Sequence, residues 1–305
     1  MKILIPVLLL VFIQTHAQEY IPLWPKGKMP NTKGLPLNDS IANERAYRIM
    51  SPGMYAFFPS KDDNNGSAVL IFPGGGYHHV TYVLSGFQLA KWFNTLGVSA
   101  FVVNYRLPNS PDLKQRELAP LQDAQRAIRL VRVNAARWGI DPHKVGVQGS
   151  SAGGHLASLV ATHTKDVAAI AGALDTVSFN PDFMILVSPV IDLGEYAHKG
   201  SKDNLLGPGA SAALIAEYST QNSVTPHTPP SFIVAACNDK TVSPQNSLLF
   251  YQALLKNNVS ASIHIFPQGG HSIGVNNNPG STALWTALCE SWLREMGFIA
   301  WPAKK

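Results

Sequence analysis

Short apolar runs alternate with amphipathic helical segments along most of the chain, and this alternation constrains the fold more than any other feature. Runs such as residues 68–72 and 231–236 are too short for typical helices and lack charged positions, which is typical of strands buried on both faces. Residues 120–139, in contrast, place apolar side chains every three or four positions. Buried strands that alternate with helices predict an α/β fold with a mostly parallel central sheet and helices on both faces.

The predicted elements extend from residue 68 almost to the C-terminus. Strands are predicted at residues 68–72, 98–105, 145–147, 183–187, 231–236 and 259–266, and helices at 87–96, 120–139, 152–163, 244–256 and 282–296. Two segments depart from the alternation, namely a polar leader at 19–67 and a segment at 191–230 that is rich in Gly, Pro, Ser and Asn. We interpret the second as an insertion over the sheet edge that carries the chemistry. We predict one domain over residues 19–305.

The first 18 residues have the pattern of an export signal. Lys2 precedes an apolar run at residues 3–13, and the small residues Thr15 and Ala17 follow it, which predicts cleavage after Ala17 or Gln18. The apolar run is too short to cross a bilayer, which needs about twenty residues. We therefore expect export to the periplasm or the extracellular space, without a stable membrane anchor.

Composition and charge exclude several classes of protein. The hydrophobic fraction is 46% and the charged fraction 14%, which argues against a disordered chain. The net charge of +5 comes from scattered side chains, and the local group on the helix at 120–139 is interpreted as its solvated face: Arg126, Arg129, Arg132 and Arg137. No basic block is present, so we predict no nucleic-acid partner.

The chain has two cysteines, Cys237 and Cys289. Export would permit a disulfide, but one residue ends a predicted buried strand and the other lies in the last predicted helix. We favour core positions for both over a disulfide bond. Their spacing does not match a zinc site, so no metal is predicted.

A Gly-Ser-Ser-Ala-Gly sequence at residues 149–153 lies between a predicted strand and a predicted helix. A sharp turn at such a place exposes one serine in a strained backbone conformation, and the residues two positions away must lack side chains. Ser151 has glycine at both positions, whereas Ser150 has glycine at neither. We therefore predict Ser151 as a nucleophile; the alternative is a tight turn with a buried serine.

A serine hydroxyl needs a base to take its proton, and His271 is the best candidate. It follows two glycines directly after the strand at 259–266, on a loop at the same sheet edge as Ser151. His155 lies one helical turn beyond Ser151 and is expected to pack against the sheet, and His264 alternates with apolar residues within a strand.

The base in turn needs a carboxylate to fix its tautomer. Asp239 follows the strand at 231–236 and is our prediction; Asp192, which precedes the insertion, is the rival and is expected to form local hydrogen bonds. The chain order Ser151, Asp239, His271 is one of the known orders of a catalytic triad.

Three consecutive glycines follow the first core strand, at Gly74, Gly75 and Gly76. They allow the main chain to approach a reacting group closely, as an oxyanion hole requires. We predict that Gly75 or Gly76 supplies one N–H donor and Ala152 the other. No Lys-Ser or Lys-Thr pair follows, so the stretch does not match a phosphate-binding loop.

The motifs together resemble the α/β-hydrolases of the bacterial acetyl xylan esterase and feruloyl/acetyl esterase type. The resemblance runs from about Ala68 to the C-terminus and is carried by Pro73-Gly74-Gly75-Gly76-Tyr77, Asn104-Tyr105-Arg106-Leu107, Gly149-Ser150-Ser151-Ala152-Gly153-Gly154-His155, Asp239-Lys240-Thr241-Val242 and Gly269-Gly270-His271. It implies a serine esterase without a cofactor that removes acetyl, and sometimes feruloyl, groups from plant-type polysaccharides. The acylated polysaccharide is the expected partner, and candidate contacts to it are Tyr77, His78, His198 and the insertion.

Two other functions fit parts of the pattern. A serine peptidase of the prolyl-oligopeptidase kind has the same triad order, but usually carries a large N-terminal propeller for which the leader has no room. A non-catalytic carbohydrate-binding protein would need neither a triad nor an oxyanion loop. The acyl group, the sugar and the oligomeric state stay open at this stage.

Overall fold

The computed structural model describes residues 18–301, and an eight-stranded sheet runs through the centre of this part of the chain. The strands are β1 (Tyr20–Pro22), β2 (Ser40–Ala42), β3 (Arg45–Arg48), β4 (Gly53–Phe57), β5 (Ala68–Phe72), β6 (Ser99–Asn104), β7 (Val145–Ser150), β8 (Met184–Val187), β9 (Ser231–Ala236) and β10 (Ala261–Phe266). The order in the main sheet is β1-β4-β6-β5-β7-β8-β9-β10, and β2 pairs with β3 in a separate hairpin. The six strands from β5 onward pair in parallel, whereas β1 and β4 are antiparallel.

Helices cover both faces of the sheet, as predicted. They are α1 (Gln88–Thr95), α2 (Leu118–Val133), α3 (Ala135–Trp138), α4 (Ala152–Thr162), α5 (Lys199–Leu206), α6 (Ala212–Tyr218), α7 (Gln245–Lys256) and α8 (Trp285–Glu295). One core contains buried side chains of α2, α4 and α7, and the other contains those of α1 and α8. Short π and 3₁₀ turns at Val83–Phe87, Ala173–Thr176, Thr220–Ser223 and Gly280–Leu284 complete the helical structure of the described residues.

Strand β5 shows why the core strands are apolar without interruption. Successive side chains of a strand point to opposite faces. Leu70 and Phe72 therefore pack into the core with α2 and α4, while Val69 and Ile71 pack into the core with α1 and α8. All four are completely buried. The predicted mostly parallel sheet is confirmed, and both of its faces contribute to the hydrophobic stabilisation.

The polar leader has more structure than the sequence predicts. Strands β1 and β4 extend the main sheet by two antiparallel strands, and Leu23 and Trp24 are buried. β1 has only three residues and includes Pro22, so its sequence does not mark a strand, whereas β4 contains an apolar run at residues 54–57 that the prediction of a polar leader missed.

The interpretation of the arginines as a solvated face is wrong for the three that lie on α2, because even the Arg132 side chain is only 8% exposed and pairs with Asp182. Arg126 and Arg129 are buried. The Arg126 guanidinium donates to the carbonyl of Leu23 and lies over the Trp24 ring, and Arg129 forms a bidentate ion pair with Asp166. Buried charges of this kind need partners, and here the partners lie on segments distant in sequence.

The segment at 191–230 contains α5, α6 and a 3₁₀ turn, although its composition predicts loops. His198 and Ser211 cap the two helices by accepting hydrogen bonds from Ser201 and Leu214 N–H groups, respectively. The Asn204 side chain in α5 donates to the carbonyl oxygen of Gly76 at 2.9 Å. The insertion therefore lies against the triple-glycine loop, at the sheet edge where the prediction places it.

Both cysteines are free, and Cys289 is buried in α8. Cys237 is exposed, so the expectation that it lies in the core is wrong. It comes directly after β9, beyond the last residue that the neighbouring strands cover.

The predicted export signal, except for Gln18, lies outside the described residues. Between residues 18 and 301, no helix has both the length and the apolar character needed to span a bilayer.

Candidate active site

Ser151 lies in the sharp turn between β7 and α4. Its backbone has φ 56° and ψ −123°, a strained conformation that non-glycine residues rarely adopt. A Cβ added to Gly149 would overlap the carbonyl oxygen of Gly153, and a Cβ added to Gly153 would overlap the carbonyl oxygen of Phe72. Both glycines are therefore required by close backbone packing, as predicted for this turn.

Three side chains from separate loops meet at this turn. Ser151 Oγ lies 2.8 Å from His271 Nε2, and His271 Nδ1 lies 2.8 Å from Asp239 Oδ2. Ser151 follows β7, Asp239 follows β9 and His271 follows β10, so three parallel strands deliver the residues to one edge of the sheet. The structure thus brings together the three residues of the predicted triad, with His271 within hydrogen-bond distance of both Ser151 and Asp239.

Hydrogen bonds fix the ionisation of Asp239. Burial of the carboxyl group by itself raises its pKa, but hydrogen bonds from the His271 ring and from the N–H groups of Val242 and Thr241 outweigh this, and the pKa of Asp239 is lowered. The carboxylate is only 1% exposed and accepts the two backbone bonds at 3.0 and 2.9 Å. An ionised Asp239 can only accept, so His271 Nδ1 carries a hydrogen and Nε2 presents a lone pair to the Ser151 hydroxyl.

The loops that carry Asp239 and His271 are tied to each other. The Asn238 side-chain oxygen accepts from the Gly270 N–H at 2.8 Å, and the Cys237 N–H donates to the carbonyl of Phe266 at 2.7 Å. Asn238 was not predicted as a site residue. Its position next to the predicted aspartate is the only sign of this role in the sequence.

The rival carboxylate, Asp192, does not join the triad. It accepts hydrogen bonds from the Tyr196 N–H at 2.8 Å and from the Gln221 side chain at 3.0 Å, both within the insertion. This agrees with its expected local role.

The triple-glycine loop lies directly beside Ser151. A Cβ on Gly74 would lie 2.9 Å from the carbonyl oxygen of Ser150 and 3.1 Å from the Ser151 Cβ, so only a glycine allows this approach. Gly75 and Gly76 both have positive φ, at 137° and 63°. Ala152 is the first residue of α4, and its N–H has no acceptor within the helix. The N–H groups of Gly75, Gly76 and Ala152 are the predicted oxyanion donors. The positive end of the α4 dipole lies at Ala152 and favours an anion beside it.

The three candidate substrate contacts have different surroundings. Tyr77 is completely buried, and its hydroxyl lies 2.8 Å from His155 Nδ1, so the prediction that its side chain contacts substrate is wrong. His78 is exposed and lies against Tyr47, with ring centroids 5.9 Å apart.

His198 is partly exposed, and its Cε1 lies 3.8 Å from the position of a Cβ on Gly76. Its pKa is lowered by burial and by the nearby His271, while Asp239 acts in the opposite direction. Among the three candidates, His198 is therefore the one that the structure places next to both the glycine loop and the triad.

The two histidines set aside as bases lie where they were expected. His155 is completely buried in α4, and burial lowers its pKa to about 4. His264 lies in β10, where it bonds the Ser262 hydroxyl at 3.0 Å. Neither contacts the Ser151 hydroxyl.

A central parallel sheet with a serine at a strand-turn-helix elbow, and an aspartate and a histidine on later loops, defines an α/β-hydrolase. The chain belongs to the BD-FAE family, which matches residues 54–254. The fold and the family resemblance predicted from the sequence are both confirmed.

Known proteins similar to this chain include enzymes of xylan breakdown. The chain is 36% identical over 249 residues to an acetylxylan esterase of Xylanibacter ruminicola and 33% identical over 227 residues to an endo-1,4-beta-xylanase B of Butyrivibrio fibrisolvens. These alignments cover 80% and 74% of this chain but 47% and 35% of the relatives, so the chain spans less than half of either protein.

Among solved structures, an acetyl ester-xyloside bifunctional hydrolase from Caldicellulosiruptor lactoaceticus is 39% identical and superposes with a TM-score of 0.77. The match covers 93% of this chain and 98% of that one. The similarity in this case therefore extends over almost the whole of both chains.

Proposed function

We propose that this protein is a carboxylic ester hydrolase that uses Ser151, His271 and Asp239 to remove O-acetyl groups from xylan-type polysaccharides. The observation that carries the proposal is the continuous hydrogen-bond line from Ser151 Oγ through the His271 ring to Asp239. Such a line activates a serine for attack on an ester carbonyl.

In the first step, His271 Nε2 takes the hydroxyl proton while Ser151 Oγ attacks the ester carbonyl carbon. The negative charge that develops on the carbonyl oxygen is stabilised by the N–H groups of Gly75 or Gly76 and of Ala152. The imidazolium is stabilised by Asp239, which stays ionised. His271 then gives its proton to the sugar oxygen, the sugar alcohol leaves, and an acetyl-serine remains.

In the second step, water replaces the sugar alcohol. His271 takes a proton from the water, whose oxygen attacks the acetyl carbonyl, and the same N–H groups stabilise the second oxyanion. The proton returns to Ser151 Oγ as the acyl bond breaks. Acetate is released and the free hydroxyl is restored, so neither a metal nor a cofactor takes part.

The substrate class rests on the relatives rather than on the geometry. The names of the acetylxylan esterase and of the acetyl ester-xyloside hydrolase favour acetyl groups on xylan-type chains over feruloyl groups. A substrate panel of acetylated xylan, acetylated pectin, peracetylated monosaccharides and feruloyl esters tests this choice. Preferential release of acetate from acetylated xylan is expected, and a preference for feruloyl esters would contradict the choice.

Replacement of the nucleophile tests the reaction itself. Ser151→Ala should reduce hydrolysis of p-nitrophenyl acetate by about 10⁶-fold, because the acyl-enzyme can no longer form. Ser150→Ala is the matched control: this neighbouring hydroxyl accepts from the Gln148 side chain at 3.1 Å, and the variant should retain activity. Retained activity in Ser151→Ala would show that another group is the nucleophile.

The two alternatives predict different results in the same assays. A serine peptidase of the prolyl-oligopeptidase kind would cleave prolyl peptide substrates, and a non-catalytic binding protein would neither hydrolyse esters nor react with an organophosphate at Ser151. We expect ester hydrolysis, labelling at Ser151 and no peptide cleavage.

Export to the periplasm or the extracellular space is part of the proposal and rests on the pattern of the first 18 residues. N-terminal sequencing of the protein recovered outside the cytoplasm should begin at Gln18 or Glu19. A protein that is recovered only from the cytoplasm with Met1 intact would refute this part.

A further inference from the structure

A line of buried hydrogen bonds joins three segments around Ser151. The Tyr77 hydroxyl lies 2.8 Å from His155 Nδ1, and His155 Nε2 lies 2.8 Å from the carbonyl oxygen of Tyr218. Tyr77 directly follows the triple-glycine loop, His155 lies in α4 one turn beyond Ser151, and Tyr218 ends α6 of the insertion. We call these two hydrogen bonds the buried bridge. The Tyr77 and His155 side chains are both completely buried.

The chemistry of the partners allows one arrangement of hydrogens in the buried bridge. A backbone carbonyl only accepts, so His155 Nε2 carries the hydrogen. Burial lowers the pKa of His155 to about 4, so the ring is neutral at neutral pH and its Nδ1 presents a lone pair. The Tyr77 hydroxyl, whose pKa is raised by burial, keeps its hydrogen and donates it to Nδ1. Both hydrogens of the buried bridge therefore have an acceptor, and both ring nitrogens of His155 have a partner.

Packing alone does not require these polar groups. Phenylalanine and leucine would fill similar space without any need for partners, whereas a buried hydroxyl or imidazole that lacks a partner costs about 1–3 kcal/mol. Tyr77 also has a φ of 57°, in the left-handed region that non-glycine residues avoid. The local backbone therefore needs support from elsewhere, and the hydrogen bond to His155 provides it directly beside Gly76.

We propose that Tyr77 and His155 are positioning residues that hold the N–H groups of Gly75 and Gly76 at a fixed distance from Ser151. The inference rests on the proposed function, because it assumes that these N–H groups stabilise the oxyanion. Neither side chain reaches the substrate. The buried bridge acts through the glycine loop. The carbonyl of Tyr218, which accepts from His155, connects the loop and α4 to the insertion.

Tyr77→Phe tests the proposal because it removes one hydroxyl and leaves the ring. A displaced oxyanion loop should lower kcat for p-nitrophenyl acetate by about 10- to 100-fold, since a misplacement of about 1 Å has effects of this size. KM should change by less than about twofold, because the donors act in the transition state. The inhibition constant of a trifluoromethyl ketone, which forms a tetrahedral adduct with serine, should rise by the same factor as kcat falls.

Tyr20→Phe is the matched control. It also deletes a tyrosine hydroxyl hydrogen bond, here to the carbonyl oxygen of Ser51 at 2.6 Å, but in β1 at the edge of the sheet. Both variants should unfold at lower temperature than the wild type, while only Tyr77→Phe should lose kcat and inhibitor affinity. Equal kinetics in the two variants would overturn the proposal and leave the buried bridge with a structural role alone.

Variants of His155 separate positioning from packing. Glutamine offers one acceptor and one donor, so His155→Gln should retain more kcat than His155→Leu, which offers neither. The double variant with His155→Leu and Tyr77→Phe should be no slower than His155→Leu alone, because both changes break the same line of hydrogen bonds. If the double variant loses kcat by the product of the two single losses, the proposal is contradicted.

The failure of this inference is distinguishable from the failure of the proposed function. A wild-type protein that neither hydrolyses esters nor forms the trifluoromethyl ketone adduct refutes both. A wild-type protein whose activity depends on Ser151, together with a fully active Tyr77→Phe variant, refutes the positioning role only.

Discussion

Two histidines close to Ser151 carry the ring hydrogen on opposite nitrogens. His271, on the partly exposed loop after β10, carries its hydrogen on Nδ1 because Asp239 accepts it, and its Nε2 is free to take the serine proton. His155, on the buried face of α4, carries its hydrogen on Nε2 because the Tyr218 carbonyl accepts it. The partner of one ring nitrogen therefore decides which nitrogen can act as a base.

The surroundings of the two histidines also suit them to different roles, proton transfer for His271 and structural support for His155. The His271 side chain is 23% exposed and faces an ionised carboxylate, which stabilises its charged form when it takes a proton. His155 is completely buried without a carboxylate partner, so its charged form is strongly disfavoured. One histidine can therefore shuttle protons during turnover, and the other stays neutral and holds backbone in place.

The largest expected effect comes from removing the charge that orients His271. Asp239→Asn should lower kcat by about 10⁴-fold, because an amide that donates to Nδ1 places the hydrogen on Nε2, where it blocks the reaction with Ser151. Steady-state hydrolysis of p-nitrophenyl acetate measures the loss.

Asp192→Asn is the control for Asp239→Asn, because Asp192 is a buried carboxylate that follows a strand but has no contact with the triad. It should keep kcat. A comparable loss in both variants would mean that a general structural effect, and not the tautomer of His271, explains the result.

Ser151 could be predicted because backbone geometry restricts its neighbours, and Asp239 and His271 could be predicted because each follows a strand that ends at the same edge of the sheet. The glycines around Ser151 are required by close contacts with main-chain oxygen atoms, so the requirement is visible in the local sequence. The core strands are equally visible, because both faces of a strand such as β5 are buried.

Features that depend on distant partners could not be predicted. Arg126 and Arg129 have the spacing of a solvated helix face, and their burial is explained by contacts with distant residues, among them Leu23 and Asp166. Tyr77 follows the glycine loop and looks like a substrate contact, but its hydroxyl pairs with His155, 78 positions away in sequence. A single sequence does not show which distant group will satisfy a polar side chain.

An effect of intermediate size is expected from the titration of His155. Its pKa is about 4 in the folded protein and about 6.5 in the unfolded chain, so the unfolded chain binds more protons between these values. The free energy of unfolding is therefore unaffected by the titration of His155 above about pH 6.5. It decreases as the pH falls toward 4, by about 3 kcal/mol in total. Urea unfolding at pH 7.5 and pH 4.5 measures the change in free energy.

The variant His155→Gln has no titrating group at this position, so its free energy of unfolding should fall less between the two pH values than that of the wild type. His227→Gln, at an exposed position, should keep the wild-type pH dependence because His155 is intact. Equal pH dependence in the wild type and in His155→Gln would show that other groups cause the loss.

The smallest expected effect concerns His198, which shares features with both histidines. Its Nδ1 accepts from the Ser201 N–H at 3.2 Å, so the neutral ring carries its hydrogen on Nε2, as the His155 ring does. Unlike His155, however, it lies near His271 on the partly exposed side of the site. His198→Asn keeps a side chain that can cap α5 but removes the imidazole. If the imidazole contacts the polysaccharide, KM for acetylated xylan should rise by about threefold to tenfold while kcat changes little, since one neutral hydrogen bond contributes about 0.5–1.5 kcal/mol. An unchanged KM would assign His198 to capping alone.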